Sequence, residues 1–199
     1  TPFYNYGRVF ESTSGEFMTF VTDADISSSS MIYSGYLYQP GGVTSRIVNG
    51  QIIWSEDRNG NKIQYIYNTG QYDSRLNTII DANGRSVTIE YGVTDAAPYG
   101  VCDRITFKGG SGQNRIFRIK SDYLNNILRT TQAYDSGTIK TMAQLFPSEN
   151  INYSLSNPNQ EFDPWRVKSI FLPDGRSYNF RYNVYGRLAR VELPTGGAT

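Results

Sequence analysis

The sequence predicts an all-β chain of tandem antiparallel hairpins, and three observations carry that expectation. Three segments align without gaps: Asn59-Gly60-Asn61-Lys62-Ile63-Gln64-Tyr65-Ile66-Tyr67, Asn83-Gly84-Arg85-Ser86-Val87-Thr88-Ile89-Glu90-Tyr91 and Asp174-Gly175-Arg176-Ser177-Tyr178-Asn179-Phe180-Arg181-Tyr182. Each reads as a turn, a glycine, two polar residues and then apolar residues at every second position, the period of a strand with one covered face. The composition agrees, with 16 Tyr, 10 Phe, 2 Trp and 19 Gly among 199 residues, a bias toward strands and tight turns.

Within the alternating strands, Ile63, Tyr65 and Tyr67 share a face, as do Val87, Ile89 and Tyr91, and Tyr178, Phe180 and Tyr182. The aromatics Tyr65, Tyr67, Tyr91, Tyr178, Phe180 and Tyr182 are therefore the expected core of the repeat, because each ring buries a large area. Gln64, Ile66, Thr88, Glu90, Asn179 and Arg181 lie on the opposite faces.

A second element recurs as Arg75-Leu76-Asn77-Thr78-Ile79, Arg166-Val167-Lys168-Ser169-Ile170 and Arg187-Leu188-Ala189-Arg190-Val191, with Arg104-Ile105-Thr106-Phe107 as a shorter relative. Its apolar pair is three residues apart, which breaks the period of two. Either the strand carries a bulge, or its first apolar residue lies at the turn.

Asn49-Gly50, Asn59-Gly60, Asn83-Gly84 and Asp174-Gly175 supply the positive φ angles that tight hairpins need. The repeat unit is then one hairpin of ~20 to 24 residues. About fifteen strands are expected, at residues 6–11, 16–22, 34–39, 43–48, 51–55, 62–67, 75–81, 86–91, 104–107, 115–121, 127–134, 138–146, 166–172, 177–182 and 188–193; the stretch 138–146 also suits a short helix. Residues 27–30 and 157–160 read as loops. No composition shift marks a boundary, so residues 1–199 are expected to be a single repeat domain, cut from a longer array.

Several function classes fall away on composition. Lys and Arg number 19 against 18 Asp and Glu, a net charge of +1, whereas nucleic-acid binding runs on clustered cations. No apolar run approaches the ~18 residues of a membrane helix. The lone Cys102 cannot form an internal disulfide. The absence of His excludes a Ser-His-Asp triad, a His base and His metal ligands.

The run Leu172-Pro173-Asp174-Gly175-Arg176-Ser177-Tyr178-Asn179-Phe180-Arg181-Tyr182-Asn183-Val184-Tyr185-Gly186-Arg187-Leu188 resembles the YD repeat of RHS-repeat proteins. Asp57-Arg58-Asn59-Gly60-Asn61-Lys62-Ile63-Gln64-Tyr65 is another copy, and Tyr6-Gly7-Arg8-Val9 a truncated one. The resemblance implies long hairpins winding into a curved or spiralling sheet, a partial shell, in a large secreted or surface-associated protein. It further implies either a shell enclosing a C-terminal effector or an adhesive surface that contacts carbohydrate. Some relatives cut themselves at an aspartate-dependent closing motif. No such motif occurs here, so self-cleavage is not carried over. The Tyr-Asp pair of the family stands here as Tyr67-Asn68, Tyr91-Gly92 and Tyr182-Asn183, and insertions at residues 94–100 and 148–164 interrupt the rhythm.

The remaining motifs have plainer explanations. Asp23-Ala24-Asp25 starts like a calcium loop, but Ser28 and Ser34 stand where an EF-hand needs Gly and Glu, so a solvated loop is expected. Asp57, Asp81 and Asp174 recur at matching turn positions, where Asp shapes turns through backbone contacts. Asp103, Asp135 and Asp163 are scattered, and no carboxylate pair is singled out for glycoside hydrolysis. Leu193-Pro194-Thr195-Gly196-Gly197 aligns with Leu172-Pro173-Asp174-Gly175 as a repeat turn, and Asn152-Tyr153-Ser154 is a formal glycosylation sequon. Cys102 is expected to be buried or unpaired. Trp165, beside a proline before a strand, is the aromatic expected to face a ligand.

The expected function is that of a non-enzymatic structural segment with no cofactor, acting as scaffold or shell wall in an extracellular protein, or in an extracellular fibre. Its partners are expected to be neighbouring repeats, further copies joined edge to edge into a filament, glycans, or an enclosed effector. Nucleic acid and a membrane span are not expected. A carbohydrate-binding or adhesive module using exposed aromatics is the alternative.

Overall fold

The computed structural model describes residues 5–13, 15–27, 33–70, 73–129, 138–145 and 159–198. The chain is all-β. Thirteen strands form one open antiparallel sheet in which spatial order repeats chain order. They are β1 (Asn5–Glu11), β2 (Thr19–Ser27), β3 (Gly35–Gln39), β4 (Val43–Val48), β5 (Gln51–Glu56), β6 (Lys62–Tyr67), β7 (Leu76–Ile80), β8 (Ser86–Asp95), β9 (Gly100–Lys108), β10 (Asn114–Tyr123), β11 (Trp165–Phe171), β12 (Ser177–Tyr182) and β13 (Leu188–Glu192). A 3-10 turn at Leu124–Ile127 and a single helical turn, α1 (Met142–Leu145), complete the described elements.

Two expected strands differ. Of the one at 127–134, Ile127 ends the 3-10 turn and Leu128 makes an isolated bridge, while residues 130–134 lie outside those described. The one at 138–146 is the short helix α1, flanked by a bridge from Thr141 to Glu161. Residues 28–30 and 157–158 of the two expected loops, Asp135 and the sequon at 152–154 also lie outside the described residues.

The turns follow one design. In Asp57–Asn61, the Asp57 N–H donates to the Asn61 carbonyl (3.1 Å) and the Gly60 N–H returns to the Asp57 carbonyl (3.0 Å). The same pair of bonds closes the loops 81–85, 109–113, 172–176, 183–187 and 193–197. This is the three-residue hairpin loop whose last residue must be left-handed, hence Gly60 at φ 83°, Gly84 at 74° and Gly175 at 85°. Asn59 and Asn83 do not share that conformation. Of the four Asx-Gly pairs, only Asn49-Gly50 has both residues left-handed (φ 51° and 78°), in a two-residue turn joining Val48 to Gln51. The residue opening the loop adds its side chain: Asp57 Oδ1 accepts the N–H of Asn59 and Asn61 (2.8 and 2.9 Å), and Asp81 Oδ1 those of Asn83 and Arg85 (both 2.9 Å); Asp174, expected to match them, is instead the third residue of its loop, because Leu172 opens it.

The three-residue apolar spacing is a bulge. In β7 the register passes from Ile66↔Thr78 to Tyr67↔Leu76, leaving Asn77 as the extra residue. In β13 it passes from Arg181↔Arg190 to Tyr182↔Leu188, leaving Ala189, and in β11 from Lys120↔Ser169 to Ser121↔Val167, leaving Lys168. β5 does the same between Trp54 and Ile52, leaving Ile53. An extra residue disturbs the ladder and leaves polar groups to be satisfied elsewhere. The Tyr67 hydroxyl donates to the Ile52 carbonyl (3.0 Å), and the Tyr182 hydroxyl to the Val167 carbonyl (2.8 Å). In both cases the acceptor immediately precedes the extra residue. The tyrosines that close β6 and β12 thus cap the bulge of the strand before each.

The chain divides into two compact units, residues 1–89 with 107–113, and residues 90–106 with 114–199. The first has little fully buried volume. Its buried side chains among the described residues are Thr22 and Ser45, the latter bonded to the Ser55 hydroxyl at 2.7 Å. Gly35 is fixed by crowding, since a Cβ there would stand 2.3 Å from the Val21 carbonyl oxygen. In the second unit Leu124, Ile127, Ile139 and Val184 are buried, and the 3-10 turn packs on β10, β11 and β12.

Candidate functional site

The first unit carries an aromatic and cationic ladder on one sheet face. Strand registers place Val21, Tyr36, Arg46, Trp54, Gln64 and Ile80 side by side across β2 to β7. The Arg46 guanidinium lies 4.7 Å from the Tyr36 ring centre, and the Lys62 ammonium 4.4 Å from that of Trp54. The Tyr36 and Trp54 rings meet edge to face at 6.2 Å. Each cation is also neutralised: Arg46 holds both Asp23 carboxylate oxygens at 2.7 Å, and Lys62 holds Glu56 at 3.0 Å. Exposed cation–π contacts of this type contribute about 0.5–1 kcal/mol each.

The second unit holds an ion-pair network. Arg104 donates two bonds of 2.8 Å to Glu90, and Arg118 one of 2.6 Å to Asp95 while its guanidinium covers the Tyr99 ring at 4.1 Å. Tyr99 in turn meets Phe171 edge to face at 5.0 Å. Cys102 is buried, and burial pushes its thiol above the ordinary value, so the nucleophilic thiolate is disfavoured.

The carboxylates of the ion-pair network and the turns are occupied. Arg104 holds Glu90 below its ordinary ionisation range, and Arg118 does the same for Asp95. The Asn61 side chain and backbone lower Asp57, Arg85 lowers Asp81, and Arg176 lowers Asp174. Asp23 and Asp25 lie within strand β2, not in a loop, and bond Arg46 and Arg8. Among the described residues no three His, Cys, Asp or Glu side chains are grouped to hold a metal ion, and no helix is long and apolar enough to cross a membrane.

The sequence-derived positions spread along the sheet rather than converge. Asn49, Gly50, Asn59, Gly60, Asn83, Gly84, Asp174 and Gly175 all sit at exposed hairpin turns. Tyr65, Tyr67, Tyr91, Tyr178, Phe180 and Tyr182 are half-buried in their strands, whereas Ile63, expected beside Tyr65, is exposed. Burial pushes the Tyr67 and Tyr182 hydroxyls up from their ordinary value, which keeps them protonated donors. Trp165 opens β11 and is 57% exposed. It stands opposite Tyr123, itself 52% exposed, with ring centres 4.7 Å apart.

Sequence reasoning missed the Tyr36–Arg46–Trp54–Lys62 ladder and the Glu90–Arg104 and Asp95–Arg118 pairs. Their members are scattered in sequence, and only the strand registers make them neighbours. Counting outward from the Asn49-Gly50 turn would have set Arg46 near Trp54, had the bulge at Ile53 been allowed for.

No protein-family model matches the chain, and no curated protein matches it either.

Proposed function

We propose that the chain is a non-enzymatic structural segment of an RHS/YD-type repeat protein, a wall or scaffold in a secreted or surface-exposed molecule. The observation that supports this most is the recurrence of one unit of construction. The bulge and its capping tyrosine stand at Ile53 and Tyr67, and again at Lys168 and Tyr182. Residues repeated for geometry serve the geometry, whereas a catalytic site needs a few groups in non-equivalent places. The carboxylates bound up in turns and ion pairs fit the same reading, because a general acid near neutral pH needs a raised pKa. Neighbouring repeats, edge-to-edge copies and an enclosed effector are the partners that suit such a wall.

A second reading, adhesion to glycans, is favoured by the exposed Trp165–Tyr123 pair. A glycan array followed by calorimetric titration separates the two. The wall reading expects no saturable binding of surface sugars. Binding that is abolished by Trp165→Ala would establish adhesion and overturn it.

A further inference from the structure

We propose that the second unit contains an oxyanion-binding site, built on the facing arginines of β12 and β13. The proposal does not depend on the wall reading. Arg181 and Arg190 are direct cross-strand partners, and like charges in that position destabilise a sheet. Arg129 joins them from the segment after the 3-10 turn, and with Asn125 and Glu192 the three arginines line an open cavity of ≈ 250 Å³. Among the described residues, Arg181 and Arg190 bring two positive charges against the single carboxylate of Glu192.

Two details mark these arginines out. Arg8, Arg46, Arg85, Arg104, Arg118 and Arg176 each hold a carboxylate oxygen at 2.6–2.8 Å. By contrast, the Arg181 side chain makes no ion pair or hydrogen bond among the described residues, and Arg190 Nε has only the Glu192 carboxylate among them, at 3.5 Å. Arg190 Nε is moreover buried without a hydrogen-bond partner, although its side chain as a whole is 37% exposed. A buried donor without an acceptor is costly and calls for an explanation.

An oxyanion supplies what is missing. A phosphate, sulfate or carboxylate group accepts from the planar guanidinium fork in bidentate fashion and offsets the Arg181–Arg190 repulsion. Arg129 is already oriented, because its NH1 donates to the carbonyl of Ala189, the extra residue of the β13 bulge (3.0 Å). The cavity exceeds the ~30 Å³ share of one water several-fold, so a small oxyanion fits with solvent.

The test is thermal unfolding of the full chain in inorganic phosphate, sulfate or glucuronate, against chloride at matched ionic strength. It is paired with NMR titration of the arginine Nε–H resonances. Phosphate is expected to raise the Tm and to shift the Arg190 Nε–H signal. Arg181→Gln and Arg190→Gln are expected to weaken the response on the order of tenfold or more, while Arg176→Gln leaves it unchanged. Arg181→Gln alone is expected to raise the Tm in chloride, because it relieves the repulsion. A response to phosphate and sulfate assigns tetrahedral oxyanions, and a response to glucuronate alone assigns carboxylates. The proposal is overturned by equal behaviour of all these anions and chloride, by a response that survives Arg181→Gln, or by a lower Tm for Arg181→Gln in chloride. Should Arg190→Gln fail to fold, the wild-type titration and Arg181→Gln decide the matter.

Discussion

The strands β5–β7 and β11–β13 are the same construction in two settings. The pairs Trp54↔Gln64, Ser55↔Ile63 and Glu56↔Lys62 reappear as Ser169↔Asn179, Ile170↔Tyr178 and Phe171↔Ser177, each residue number 115 higher. Both third strands carry the bulge, at Asn77 and Ala189. What surrounds them differs. In β5–β7 no residue is fully buried, and Ile66 is 46% exposed. In β11–β13 Ser169 and Val184 are buried, with Leu124 and Ile127 of the 3-10 turn packed onto the strands.

The connecting loops diverge in the same sense. In the first copy the loop from Asn68 to Arg75 is organised by polar contacts, with Asp73 accepting from Asn68 Nδ2 (2.8 Å) and Arg75 Nε (2.8 Å). In the second the loop runs only from Asn183 to Arg187, and Phe162 and Leu124 close over Gly186. The skeleton therefore depends on local chemistry, while the dry core depends on a segment outside the repeat.

The largest expected effect breaks the comparison at that point. Leu124→Ala or Ile127→Ala should cost about 2–5 kcal/mol in chemical denaturation, and Ile66→Ala in the uncovered copy under about 1 kcal/mol. Equal costs would show that the cover contributes no more than an exposed side chain. Next in size, Gly35→Ala should cost about 1–3 kcal/mol or more by driving a methyl into the Val21 carbonyl. The second unit should be untouched, as read by amide exchange of β11–β13.

A finer test concerns what the two copies share. Tyr67→Phe and Tyr182→Phe each remove one hydroxyl from a bulge carbonyl and should cost about 1 kcal/mol apiece. A neutral Tyr67→Phe beside a costly Tyr182→Phe would make the cap a property of the cover. The smallest effect is in pH. Glu90 and Asp95 ionise below their ordinary range when folded. Their contribution is therefore complete above the unfolded carboxylate values of ~4 and is lost as pH falls through the folded ones. Tm measured against pH should fall on the acid side, and Glu90→Gln should flatten part of that fall.

The skeleton was legible in the sequence because it is written locally. Alternation set the faces of β6, β8 and β12, and glycine placement set their turns. The Leu-x-x-Ile spacing pointed to the bulge, though not to the tyrosine that caps it, because fifteen residues separate Tyr67 from Ile52. Burial was less legible. Ile63 has the period of a core residue yet is exposed, since period reports which face a side chain takes and not whether anything lies over it. The 3-10 turn that supplies Leu124 and Ile127 ends where a strand was expected to begin, and tertiary packing there overrides local propensity. The charged ladder and the facing arginines depend on register, which a bulge shifts by one residue.

Because every strand pairs only with its neighbours in the chain, tension applied along the polypeptide meets the hairpins in series. Antiparallel partners loaded in this way part like a zip, one ladder bond at a time, instead of resisting in shear as a group. The hairpins with short loops, such as β5–β6, β7–β8 and β11–β12, would yield at modest force, and their loops, closed by neighbouring residues, would reform quickly on relaxation. A sheet laid down in this order is then also an extensible one, able to lengthen stepwise under load and to recover its ladder afterwards.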